Sequence, residues 1–197
     1  MKIKTPALVA TTIGPIVTFV GYTLGAWLWP GFDGKVHAIS DLAANDSPVQ
    51  LLMSIVFLFG AACDIVVAIY AQALPKPARI VIFIAGLATI GLTVFATPTQ
   101  DTSSLPHRIF AITSFVLFSI WPLFAIRKDK DAPPMLRPKA AWLGTLFLVA
   151  VSVWFLSLWL DKHSTIMGLG ERIGVGVQGL YPAVVLWHTW LWQRKRG

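Results

Sequence analysis

His37, Ser40 and Asp41 fall at i, i+3 and i+4, the spacing that puts three side chains on one face of a helix. They belong to a polar island, residues 30–48, that reads PGFDGKVHAISDLAANDSP between two long apolar runs. An imidazole, a hydroxyl and a carboxylate held together are the groups that acid–base and hydrolytic chemistry uses. Two later positions carry related groups, His107 beside Arg108 and Glu171 beside Arg172. Taken together, His37, Asp41, His107 and Glu171 supply the nitrogen and oxygen donors that zinc accepts, and three such ligands plus water make a catalytic zinc centre. Their spacing matches no strong metal signature, so a second reading stands beside this one. In it His37 and Asp41 cap or pair locally, and Glu171 pairs with Arg172 or another basic neighbour.

The elements that must position these residues are membrane helices. Hydrophobic residues make up 56% of the 197-residue chain, charged residues 13%, and the mean hydropathy is +0.70, values that belong to membrane proteins rather than soluble globular ones. Six segments are long and apolar enough to cross a bilayer, which takes about 20 residues in helical form. They cover residues 7–29, 49–72, 79–97, 108–126, 141–160 and 173–193. The links between them are short, so the expectation is one all-α, six-span domain over residues 1–197. The first segment is longer than the apolar part of a usual signal peptide and no small-x-small cleavage site follows it, so it reads as an uncleaved span. Cys63, the only cysteine, cannot form an intrachain disulfide.

Charge sets the orientation. Of the 16 Lys and Arg residues, 12 fall in the termini and alternate loops on one side, and Lys35, Arg108, Lys162 and Arg172 fall on the other. The positive-inside rule then puts both termini in the cytoplasm and the island outside, in a cytoplasmic (cell) membrane. The net charge of +7 finds its partner in anionic lipid and needs no nucleic acid. Trp27, Trp29 and Trp159 fall at outer ends, and Trp121, Trp142, Trp187, Trp190 and Trp192 at inner ends, as interfacial anchors do.

In this arrangement the second, fourth and sixth spans start at the outer face, where their N-termini gather with the polar residues. Ser47, Pro48 and Gln50 read as N-cap, first position and capping box of the second span. Helix N-termini reinforced by Lys35, Arg108 and Arg172 make an anion site, and the external anion at a bilayer is a lipid phosphate. Deeper in the membrane, Asp64 lies 16 residues past Pro48 and His188 lies 16 past Arg172, so both fall roughly 24 Å below their outer helix ends and can form a buried pair. Gly174, Gly176 and Gly179 satisfy G-x-G-x-x-G, but no strand precedes them, and they read as helix-packing residues rather than a dinucleotide site. Facing mid-membrane histidines, which haem would need, are lacking.

The island segment FDGKVHAISDLAANDSP, the fourth-span start HRIFAITSF and the GLGERIG before the last span together resemble the prokaryotic six-span family catalogued as domain of unknown function 998. The resemblance runs over nearly the whole chain. It implies that His37, Ser40, Asp41, Ser47, Pro48, His107, Glu171 and Arg172 are signature positions, and it implies no activity. The segment ISDLAANDSP is also distantly similar to an extracellular segment of eukaryotic six-span proteins linked to lipid remodelling, and this likeness favours lipid over ion or sugar by analogy alone. The expected function is binding or processing of lipid headgroups at the outer leaflet, with membrane lipids as partners. If it is an enzyme, it would be a lipid hydrolase or transferase with His37, Ser40, Asp41, His107 and Glu171 as catalytic groups, zinc as the candidate cofactor, and Lys35, Arg108 and Arg172 as substrate contacts. The rival is a non-catalytic membrane component: a small transporter, an accessory subunit or a structural protein.

Overall fold

A computed structural model describes residues 2–100 and 102–196. Its long helices are α1 (Thr5–Leu28), α3 (Gln50–Tyr70), α4 (Lys76–Val94), α5 (Leu105–Phe124), α6 (Pro138–Leu160) and α7 (Met167–Arg194), with a four-residue helix α2 (Ile39–Leu42) inside the island. Among the described residues there is no strand, only an isolated bridge between Ile3 and Ala71 that ties the start of the chain to the α3–α4 turn. Five of the helices, α1 and α3 to α6, are long and apolar enough to cross a membrane, so the chain is an all-α, multi-pass membrane protein. The sixth long helix, α7, is the longest but carries Glu171, Arg172, Gln178 and His188. Its apolarity is diluted because it serves the island and the interior.

The helices form a ring. In order α1, α3, α4, α5, α6 and α7, each packs on the next, and α7 closes back on α1. Small residues let several seams come close: a Cβ on Gly21 of α1 would press into Val56 of α3, and one on Gly179 of α7 would stand 3.2 Å from Pro15 of α1. Gly174 likewise packs beside Phe115, whereas Gly176 meets nothing within 4 Å, so the expected packing role holds for two of the three glycines. Pro15, Pro122 and Pro182 lie inside continuous helices, as membrane helices tolerate.

Two clusters hold the ends of the ring. Near the termini, Leu8, Val67, Ile82, Trp121, Val185 and Leu186 belong to one tightly buried group that plugs the ring. Trp121, expected as an interfacial anchor, is fully buried there; its ring lies 5.9 Å from that of Tyr181, edge to face, so packing has claimed it. At the island end, Ile39, Leu42 and Val49 pack against Tyr22, Met53 and Val56 of α1 and α3.

The start of α3 differs from the expected cap. The helix begins at Gln50, and Val49 precedes it without a side-chain cap. Ser47 instead closes a turn, its Oγ donating to the Leu42 carbonyl at 2.7 Å and accepting the Val49 N–H at 3.2 Å. Tertiary packing of α2 has drawn the hydroxyl backward, away from the helix it was expected to start.

Gly21→Ala should strain the α1–α3 seam, because the stiff Val56 side chain cannot swing aside. The expected cost is about 1–3 kcal/mol, read as a lower unfolding midpoint in detergent.

Candidate functional site

The head of α7 is joined to the island by backbone and side-chain bonds together. Asp33 starts the joint: its carboxylate accepts the Lys35 N–H at 2.9 Å, an Asx turn that folds the island back on itself. The carbonyls of Val36 and Lys35 then accept the Gly168 and Leu169 N–H groups of α7 at 3.2 and 2.9 Å. Gly168 is required for this approach, since a Cβ there would run into the His37 carbonyl. Arg172 Nη1 donates to the His37 carbonyl at 2.8 Å and to the Gly168 carbonyl at 2.9 Å, and its guanidinium lies over the rings of Tyr22 and Phe32 at 5.5 and 5.9 Å. Glu171, buried, accepts the Ile39 N–H through Oε2, while Asp41 Oδ2 accepts the Ala38 N–H at 2.7 Å. Two carboxylates thus cap the short helix α2.

These bonds revise the expected anion site. The first free N–H groups of α7 are satisfied by island carbonyls, and Ser104 Oγ accepts the His107 N–H at the head of α5. Arg172 Nη1 clamps α7 to the island, while Nη2 is buried without a hydrogen-bond partner. Lys35 is exposed and contributes its carbonyl to the joint.

The metal reading is revised as well. Among the described residues, no three His, Cys, Asp or Glu side chains gather closely enough to hold a metal ion. Zinc does not fit His37, Asp41, His107 and Glu171 as they stand: Glu171 is committed to capping α2, and His107 Nδ1 lies 3.1 and 3.0 Å from the carbonyls of Leu92 and Phe95. Two carbonyl partners require a hydrogen on Nδ1, which leaves Nε2 as the acceptor of a neutral imidazole. His37 and Asp41 do come together, with Nδ1 and Oδ2 3.9 Å apart. Ser40 stands beside them, its carbonyl accepting from Ala43.

What the structure brings together is a cavity of about 1100 Å³ inside the ring, lined from all six long helices and the island. At the island end its wall holds His37, Ser40, Asp41, His107 and Glu171, with the exposed Arg108 and with Lys162 beside them. The shaft is mostly apolar, with Phe57, Leu92, Phe115, Val149, Phe155 and Val175 on its walls. Toward the termini it ends on the plug formed by Trp121, Val185 and their neighbours. Ile112 and Val116 of α5, with Val153 and Leu156 of α6, line the cavity yet are 55%, 49%, 58% and 43% exposed. This half-exposed wall between α5 and α6 is the candidate side window. Below it Ser119 and Ser152 join the same pair at 2.9 Å, and Gln178 Nε2 of α7 reaches both hydroxyls at 3.0 Å and the Phe115 carbonyl at 2.9 Å.

The deep pair does not form. His188 is exposed on the outside of α7, while Asp64 lines the cavity, so the two do not face each other. Sequence reasoning also missed the Gln178 tie and the α5–α6 window. Exposed Val and Ile side chains in a membrane span carry no signal that separates a cavity wall from a lipid-facing one.

Compared with known proteins, residues 12–188 match the family model described as a protein of unknown function, DUF998. No curated protein and no solved structure matches the chain.

Arg172→Met should cost about 2–3 kcal/mol, since it removes two charge-assisted bonds to carbonyls. Limited proteolysis within residues 30–48 should become faster, while Lys35→Ala, which keeps the backbone bonds, should leave the rate unchanged.

Proposed function

Because the chain belongs to the DUF998 family of proteins of unknown function, its geometry has to supply the reading, and we propose that it binds a membrane lipid of the outer leaflet in the central cavity. The side window carries this reading. A ligand that enters between α5 and α6 comes from the bilayer, and the cavity is apolar along its shaft and polar at the mouth, the profile of an amphiphile. The volume agrees, since about 1100 Å³ exceeds what drug-sized ligands need.

In this reading the headgroup sits among His37, Ser40, Asp41 and His107, with Arg108 and Lys162 supplying positive charge at the rim. The chains lie along Phe115, Val153 and Phe155. Hydrolysis or group transfer at the headgroup would use His107 Nε2 or the His37–Asp41 pair as acid and base. The arrangement has six spans, with both termini in the cytoplasm and the island outside. The segregation of basic residues supports this, as does the place of α7 in the ring between α6 and α1. A second reading, an outward-facing transporter, is favoured by one observation: Asp64 lines the same cavity as the mouth residues.

Native mass spectrometry tests the lipid. Wild-type protein should retain bound lipid, and an Ile112→Trp/Leu156→Trp variant that fills the window should retain at least tenfold less; equal retention would sink the reading. For topology, single cysteines are placed in a Cys63→Ser background. Asn45→Cys should react with an impermeant thiol reagent on intact cells, and Lys2→Cys and Lys195→Cys should not.

A further inference from the structure

Deep in the cavity wall stands a carboxylate that neither the joint nor the mouth uses. Asp64 lies 14 residues past Gln50 on α3 (64 − 50), about 21 Å below the island end at 1.5 Å per residue. It lines the cavity that opens at the mouth and the window. Among the described residues, no hydrogen bond or ion pair engages it. The cations that share the cavity wall, Arg108 and Lys162, belong to the far end.

The surroundings limit what can compensate such a group. The α4 backbone comes close at Gly86, where a Cβ would stand 3.2 Å from Asp64 Cβ. One turn along, the Thr89 hydroxyl is engaged with Ser114 at 3.2 Å and with the Ala85 carbonyl at 3.2 Å. A hard metal cation would need a shell of about six oxygens, and one carboxylate beside two engaged hydroxyls does not make one. An organic ammonium asks less: one carboxylate, with apolar walls for its substituents. Leaving the carboxylate ionised with no partner in this environment is costly, so a positive ligand gains what the protein withholds.

We propose that the floor of the cavity binds the ammonium end of an amphipathic amine, with Asp64 as its counter-ion and the chain running toward the window. This is a second subsite, independent of the headgroup contacts at the mouth; an amine lying along the shaft competes there with a lipid chain.

The test compares dodecylamine with dodecanol by isothermal titration calorimetry on purified protein in a neutral detergent. Wild type should bind the amine at least tenfold more tightly than the alcohol, and Asp64→Asn should erase the preference. Equal binding of the two by wild type, or an undiminished preference in Asp64→Asn, overturns the proposal. Stability separates a ligand role from a structural one: unliganded Asp64→Asn should melt at or above the wild-type temperature, and a clear drop would mean that Asp64 holds the fold. Failure here is distinguishable from failure of the lipid reading, since lipid retention is scored separately on the window variant, which keeps Asp64.

Discussion

A helix with polar groups closes a ring in a bilayer only if most of those groups find partners within the protein, because the hydrocarbon offers none. At the head of α7 the joint to the island supplies these partners, leaving Arg172 Nη2 without one. The carbonyls of Lys35 and Val36 take the first N–H groups of the helix, Arg172 takes the His37 carbonyl, and Glu171 takes the Ile39 N–H. Each bond satisfies a group on both sides, so neither the island nor the head of α7 could be ordered alone. With the joint made, α7 can lie between α6 and α1, the ring closes, and a cavity exists inside it.

The cavity follows from how the ring is filled. Toward the termini, large side chains such as Trp121, Leu136 and Leu186 pack to complete burial. Farther up, many lining positions are small or hydroxyl-bearing, among them Gly14, Thr18, Gly60, Thr89, Ser114 and Gly176, so little side-chain volume projects into the ring. Hydrogen bonds take over from packing at this level. Gln178 spans the interior to reach Phe115 and Ser119 of α5 and Ser152 of α6, tying both helices to α7.

Much of this was legible in residue order. The six long helices followed from apolar runs, and five of them are long and apolar enough to cross a membrane. His37 and Asp41 do approach to 3.9 Å, but His37 lies in a bend before the four-residue helix, so a turn and not a shared helical face brings them together. The family was legible in HAISDLAANDSP and GLGERIG, and the matched residues cover both. The roles of Arg172, Ser47 and Trp121 were not. An arginine at a helix head reads the same whether its fork meets a phosphate or a carbonyl, and a serine three residues before a helix reads as its cap until a neighbouring turn takes the hydroxyl. For Asp64 and His188, rotation about the helix axis was not legible, and rotation sent one inward and the other out.

The sequence by itself determined that this is a multi-pass helical membrane protein with a chemically rich island at one end, because the cost of polar groups in hydrocarbon is written residue by residue. Only the tertiary structure decided which of those polar groups are spent on holding the fold and which are left facing a cavity. That division depends on the distance and direction between groups far apart in the chain, such as Arg172 and His37, 135 residues apart, and these exist only once the ring has closed.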